Sequence, residues 1–175
     1  VDDKGFNASA WAGAQRAAAD FGADPKVLES QAETDYQVNL NSFIDQECDL
    51  IVTVGFLLGD ATLEAAQSAP DTPFTIVDFA YDEPPANLKG LIFNTDEAAV
   101  LAGYLAAGMT QTGKVGTFGG VNIPPVTIFM DGFVKGVAHY NAVKGTSVTA
   151  LGYDSESGEG LFTNNFDSLA DGRAF

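Results

Sequence analysis

The chain has 175 residues, of which 46% are hydrophobic and 18% charged, a composition typical of a packed globular protein rather than a disordered one. Its formal net charge is -16, which argues against nucleic acid or an anionic membrane as the partner, since both attract clustered positive charge. A single cysteine, Cys48, excludes an internal disulfide, and the longest apolar runs fall far short of the roughly 20 residues of a transmembrane helix.

The first 22 residues, VDDKGFNASAWAGAQRAAADFG, combine a polar loop with a helix. Four apolar residues recur at helical spacing: Trp11, Ala14, Ala18 and Phe21. Asn7 or Ser9 is expected to cap the helix, and Gly22 to end it in a left-handed turn. The loop therefore delivers polar and aromatic side chains to the beginning of a helix. In an open α/β sheet, ligands bind at this place, just beyond the carboxyl end of a strand.

Strands and helices are predicted to alternate from there to residue 108. The strands are predicted at residues 26–32, 49–56, 72–79 and 91–94, and the helices at residues 35–46, 61–68 and 95–108. The β-branched run at residues 49–56 indicates a strand that is buried on both faces of its sheet. The alternation indicates a parallel, doubly wound α/β sheet with right-handed crossovers.

A short polar break at residues 110–113 precedes a second series of elements. Strands are predicted at residues 114–118 and 145–153, with a helix at residues 124–140 between them and another helix beginning near the end. We place a lobe boundary near residue 112, which gives an N-terminal lobe at residues 1–112 and a partial C-terminal lobe at residues 113–175. The chain starts in mid-motif and stops within a helix, so we expect a fragment whose first lobe lacks its first strand.

Aromatic and acidic side chains occur together in three loops that follow predicted strands. The loops are residues 2–11, residues 56–60 with Asp78 and Phe79, and residues 164–167. Aromatic rings on both sides of a flat ligand, with carboxylates at its edge, suit a nucleoside or a sugar. The residues alone leave a second interpretation open, in which the rings are ordinary core residues and Asp3 and Asp78 cap turns.

The sequence gives no support for catalysis, for a cofactor or for a metal. Residues 113–120, GKVGTFGG, match neither the dinucleotide fingerprint nor the phosphate-binding loop. The only histidine, His139, lies late in an amphipathic helix, and there is no G-x-S-x-G elbow. The pair Asp2 and Asp3 lacks the pattern of a calcium loop. We therefore expect neither an enzyme nor a cofactor-binding protein.

Several segments strongly resemble one family. They are DDKGFNASAWAGAQRA, DLIVTVGFLLGDA, EAAVLAGYLAAGMTQTGKVGTFGGVNIPPVTIFMDGFVKGV and GLFTNNFDSLADGRAF. They resemble the basic-membrane-protein family, the substrate-binding lipoproteins of ABC importers, which include purine-nucleoside receptors. The resemblance extends over essentially the whole chain. It implies the type I periplasmic-binding-protein fold, in which two α/β lobes close on a ligand between them.

The resemblance also implies roles for individual residues, because the nucleoside-binding members hold the base between rings and use Asp and Asn for its edge and the ribose. The residues that match are Asp3, Phe6, Asn7, Trp11, Phe56, Asp78 and Phe166, with Phe166 as the facing ring. The implied partners are a small-molecule ligand, most readily a purine nucleoside, and a membrane permease. The implied location is outside the cytoplasm, with a lipid anchor on the full-length protein.

Two other functions are compatible with an α/β fold of this kind. A ligand-sensing domain of a transcription regulator would carry a DNA-binding helix-turn-helix ahead of Val1. A Rossmann-like enzyme domain would need a phosphate cradle and a poised acid or base, and the sequence contains neither pattern. The sequence upstream of Val1 would distinguish the receptor from the regulator.

Overall fold

A computed structural model of the chain describes residues 3–166 and 168–175. The chain divides into two compact units, Val1–Ile92 and Phe93–Phe175. The lobe boundary expected near residue 112 concerns the lobes of the whole protein and stays a prediction. None of the helices in the described ranges combines the length and the apolar composition needed to cross a bilayer.

The first unit contains three helices and a parallel sheet of three short strands. Its elements are α1 (Phe6–Phe21), α2 (Thr34–Asp45), β1 (Ile51–Val54), a 3₁₀ turn (Phe56–Leu58), α3 (Gly59–Ser68), β2 (Phe74–Val77) and β3 (Leu88–Leu91). The strand order is β1-β2-β3, with Ile51 opposite Phe74 and Phe74 opposite Leu88. Because all three strands are parallel, their carboxyl ends lie at one edge of the sheet. Gly22 ends α1 in a left-handed conformation, as predicted.

The core of the first unit lies on one face of this sheet, where the strands pack against α2 and α3. Its buried residues are Leu40, Ile51, Ala65, Ala66, Phe74, Ile76 and Leu88. On the other face Val52 is 48% exposed, so the prediction that β1 is buried on both faces is wrong for the described part of the chain. The alternating burial of β1 follows from the period of two along a strand, since the core helices cover only one face.

The strand predicted at residues 26–32 is not present. A strand needs a neighbour for its backbone groups, and none of these residues takes part in a β-bridge. Local hydrogen bonds replace the pairing, since the amides of Gln31 and Ala32 donate to the Asp35 carboxylate at 2.8 and 3.0 Å. The strand predicted at residues 91–94 lies three residues earlier, at Leu88–Leu91, where it pairs with β2.

The second unit has a smaller parallel sheet and a pair of long helices. Its elements are α4 (Thr95–Met109), β4 (Lys114–Gly116), α5 (Pro124–Lys144), β5 (Thr149–Leu151) and α6 (Leu169–Gly172). The strands β4 and β5 pair in parallel. The predicted α/β class with parallel sheets is therefore confirmed.

Helices α4 and α5 approach each other to backbone contact. A Cβ atom on Gly103 of α4 would overlap the carbonyl oxygen of Phe133, and one on Gly136 of α5 would overlap that of Val100. Glycine at these positions therefore sets the distance between the two helices. The small buried residues Ala99 and Ala107 complete the contact face of α4.

Candidate functional site

The carboxyl edge of the three-stranded sheet gathers residues from separate parts of the sequence. Gly55 follows β1 with a φ of 100°, a conformation that favours glycine, and it turns the chain into the 3₁₀ turn that begins at Phe56. Asp78 and Phe79 follow β2 directly, and the Gly55 amide donates to the Val77 carbonyl at 3.1 Å. This is the edge of an open α/β sheet where ligands bind.

A pocket of about 320 Å³ lies at this edge, and we name it the edge pocket. Its lining residues are Glu33, Tyr36, Phe56, Leu57, Gly59, Asp60 and Phe79. The volume is at the lower end of the range of about 300–1,000 Å³ found for small-molecule sites. The described lining offers three aromatic rings and two carboxylates, and it includes no lysine or arginine. Such a lining suits a flat ligand with hydrogen-bond donors and disfavours a phosphate.

Phe6 of α1 lies at the same edge of the sheet. Its Cε1 atom is 3.6 Å from the position that a Cβ atom on Gly55 would take, so the ring contacts backbone at the end of β1. Phe6 is 47% exposed in the described part of the chain. The structure thus brings Phe6 close to the turn that carries Phe56, and the ligand-binding role of both residues stays a prediction.

Asp3 organises the beginning of α1. Its carboxylate accepts hydrogen bonds from the amides of Asn7 at 2.8 Å, Ala8 at 2.9 Å and Gly5 at 3.1 Å, and from the Asn7 side-chain amide at 3.0 Å. The prediction that Asn7 or Ser9 caps the helix is therefore wrong, because the helix already begins at Phe6 and the acceptor comes from Asp3. The turn-capping interpretation of Asp3 agrees with this geometry. A ligand-binding role for Asp3 and Asn7 stays a prediction.

The same hydrogen bonds give Asp3 a distinct acid titration. The amides of Asn7, Ala8 and Gly5 lower the pKa of Asp3 from 3.8 to about 2, because they stabilise the charged form. A lowered folded-state pKa stabilises the protein above about pH 4, and this contribution is lost as the pH falls through about 2. We expect the amide resonances of Asn7 and Ala8 to titrate with a midpoint near pH 2 in an NMR experiment. A midpoint near 3.8, or an unchanged titration in Asp3→Asn, would contradict this assignment.

Asp78 occupies a backbone conformation that is uncommon for residues other than glycine. Its φ is 65°, and its amide donates to the Leu91 carbonyl at 2.8 Å, which fixes it between the ends of β2 and β3. Asp tolerates the left-handed region better than most residues, and strained conformations concentrate at binding sites. Burial raises the pKa of the Asp78 carboxyl because its charged form loses hydration, and a hydrogen-bond donor on a ligand would stabilise that charged form.

Phe166 belongs to the second unit, and its ring lies against the backbone of Gly120. Any side chain at Gly120 would overlap this ring, so glycine is required there. The Asn164 amide donates to the Gly120 carbonyl at 2.7 Å and holds the loop in place. A shallow pocket of about 220 Å³ is lined in part by Phe118 and Phe166. Phe166 is 56% exposed in the described part of the chain, and its role as the facing ring stays a prediction.

The remaining sequence-predicted residues have mixed outcomes. Trp11 is half-buried within α1, and its role stays a prediction. Asp2 and Asp167, which belong to two of the motifs, lie outside the described residues.

Sequence reasoning missed Glu33 and Tyr36 in the edge pocket. Because α2 runs antiparallel to the strands, its beginning lies at their carboxyl edge, and this rule could have identified both residues.

Several known proteins are similar in sequence to this chain. A family model described as "ABC transporter substrate-binding protein PnrA-like" matches residues 1–171. Basic membrane protein A of Borreliella burgdorferi is 33% identical over 174 residues, which cover 97% of this chain and 51% of that protein. The ABC transporter nucleoside-binding protein BmpA of Lactococcus lactis is 33% identical over 164 residues, which cover 91% of this chain and 46% of that protein.

A solved structure extends the likeness to three dimensions. An ABC-transporter solute-binding protein of Aeropyrum pernix K1 superposes with a TM-score of 0.81 at 30% identity, covering 99% of this chain and 47% of that one. The predicted periplasmic-binding-protein fold is therefore confirmed. The chain spans about half the length of the curated relatives that it matches.

Proposed function

The chain belongs to the family of PnrA-like ABC-transporter substrate-binding proteins, and from this premise we propose that the protein is the extracytoplasmic solute-binding component of an ABC importer, with a nucleoside-like ligand. The family consists of solute-binding proteins rather than enzymes, so the ligand is captured and released without chemical change. The proposed partner is a membrane permease. The proposed location is outside the cytoplasm, with a lipid anchor on the full-length protein. The printed name of the Lactococcus lactis relative, a nucleoside-binding protein, supports the ligand class.

One observation carries the proposal on the side of the structure. The rings of Phe56 and Phe79 line a pocket that also contains the Asp60 carboxylate, and Phe6 lies on the neighbouring Gly55. Stacking on a ring tolerates different bases and covers a large area, whereas the donors of the base and the ribose need fixed acceptors. A site with both features at the carboxyl edge of a parallel sheet fits a nucleoside better than an aliphatic solute.

The proposed roles follow from these positions. Phe6 and Phe166 would stack on the base, with Phe56 and Trp11 as further aromatic contacts. Asp78 would accept from the base or the ribose, and Asp3 and Asn7 would hold the loop that carries Phe6 and offer further polar contacts. A ligand held by both lobes would bind the closed state more tightly and shift the population toward it.

A calorimetric titration of the full-length protein tests the ligand class. Adenosine, guanosine and inosine would each be compared with free ribose and with the matching nucleoside 5′-monophosphates. We expect at least one nucleoside to bind, and its monophosphate to bind at least about fivefold more weakly because Glu33 and Asp60 repel the phosphate.

The Asp60→Asn variant is the matched control for the charge effect. Removal of this carboxylate should reduce the difference in affinity between the nucleoside and its monophosphate, and the variant should still bind the nucleoside. Binding of a sugar with no binding of any nucleoside would exclude the proposed ligand class. Equal affinity for the nucleoside and its monophosphate would exclude the proposed role of the acidic lining.

A further inference from the structure

We propose that Tyr81 is a positioning residue for the edge pocket, and that it acts by holding the Phe79 ring against the first turn of α3. Tyr81 does not line the pocket itself, so its effect on the ligand would pass through Phe79 and Gly59. The inference rests on the proposed function for its ligand, a nucleoside. The positioning of the pocket wall can also be measured without any ligand.

Two contacts connect Tyr81 to the pocket wall. Its hydroxyl donates to the carbonyl oxygen of Gly59, the first residue of α3, at 2.7 Å. Its ring meets the Phe79 ring edge-on, with centroids 4.8 Å apart and an interplanar angle of 71°. Edge-to-face pairs of this kind are a favourable arrangement of aromatic rings. The hydroxyl thus contacts Gly59 and the ring contacts Phe79, and both of these residues line the edge pocket.

Phe79 and Gly59 are themselves in direct contact. The Cζ atom of Phe79 lies 2.9 Å from the position that a Cβ atom on Gly59 would take, so the ring fits only because Gly59 has no side chain. Behind the ring, a Cβ atom on Gly90 would overlap the carbonyl oxygen of Phe79. The aromatic wall is therefore held from the side of α3 and from the side of β3. Tyr81 completes the arrangement by bonding to α3 while it packs on Phe79.

A buried polar network connects the beginning of α3 to β1. The Thr62 side chain is fully buried, and its hydroxyl lies 2.7 Å from the Leu58 carbonyl oxygen and 2.9 Å from the Thr53 hydroxyl. Burial raises the pKa of Tyr81 to about 12. Satisfied buried networks make a structure rigid. The beginning of α3, which carries Asp60 into the pocket, is thus fixed to both β1 and Tyr81.

Two variants separate the hydroxyl from the ring. Tyr81→Phe keeps the ring and removes the bond to Gly59, and we expect it to weaken binding of the preferred nucleoside by about three- to tenfold, the value of one hydrogen bond. Tyr81→Leu also removes the edge-on contact and should weaken binding further. Tyr140→Phe, which removes a hydroxyl from a half-buried ring of the second unit, is the matched control and should leave the affinity unchanged.

Hydrogen exchange of the ligand-free full-length protein gives the second measurement. Tyr81→Phe should accelerate hydrogen exchange in residues 55–63 and leave hydrogen exchange in α5 unchanged. In a separate kinetic measurement, the nucleoside should dissociate faster from this variant, in proportion to the lost affinity. Unchanged affinity in Tyr81→Phe, or faster exchange throughout the protein, would overturn the proposal. If the wild-type protein binds no nucleoside, the proposed function fails. Exchange at residues 55–63 then decides alone whether Tyr81 positions the pocket wall.

Discussion

Replacement of Gly103 by alanine is expected to lower the free energy of unfolding by about 2 kcal/mol, although alanine favours helices more than glycine does. The added Cβ atom would overlap the carbonyl oxygen of Phe133, which belongs to the backbone of α5 and cannot rotate away. The two helices would have to separate along their length, and the buried contacts of Ala99 and Ala107 would loosen with them. Urea denaturation of the full-length protein measures this change.

Gly13→Ala provides the matched control in another helix interior. Apart from its chain neighbours and the backbone of its own helix, no heavy atom lies within 4 Å of the position that a Cβ atom on Gly13 would take, so only the helix preference changes. We expect this variant to gain up to about 1 kcal/mol of stability. If Gly103→Ala were as stable as Gly13→Ala, the backbone contact between α4 and α5 would be refuted.

Replacement of Phe166 by alanine is expected to weaken nucleoside binding at least tenfold. Stacking of a base on an aromatic ring is worth about 1–3 kcal/mol, and the Phe166 ring is exposed enough to offer a face to a ligand. Phe166→Trp should retain most of the affinity because it restores an aromatic face. Calorimetric titration with the preferred nucleoside measures the affinities of the wild type and of both variants. The thermal unfolding midpoints of the three proteins show whether each remains folded.

The control for this experiment is Phe21→Ala at the end of α1. Phe21 is 86% exposed and has no place in the proposed site, so its removal should leave nucleoside affinity unchanged. A Phe166→Ala protein that binds as tightly as Phe21→Ala would show that Phe166 does not stack on the ligand. The roles of Phe6 and Phe56 would then need their own measurement.

Most helices could be predicted from the sequence because their signals are local. Gly22 ends α1 by adopting a left-handed conformation, and Pro124 begins α5 at a position where its missing amide donor does no harm. The apolar pattern predicts that α5 ends at residue 140, which is too early because Gly145 ends that helix. The sequence predicts Asn7 or Ser9 as the cap of α1, which is wrong because Asp3 accepts from the helix amides from outside the first turn.

Strands were harder to predict because a strand depends on its neighbours. Residues 26–32 have the composition of a strand but no pairing partner in the described part of the chain. Leu88–Leu91 contains a glycine, which weakens the sequence signal, yet it pairs in register with β2. Pairing is a property of two segments, and the composition of either segment alone does not reveal it.

By itself the sequence determined the α/β class, the family and which aromatic and acidic side chains follow the strands, since these depend on local periodicity and on recognisable motifs. The tertiary structure alone decided that Glu33 and Tyr36 join Phe56 in one pocket and that Tyr81 contacts both the Phe79 ring and the first residue of α3. Glu33, Phe56 and Phe79 are distant in sequence, and only the parallel order of the strands brings their segments to the same edge of the sheet.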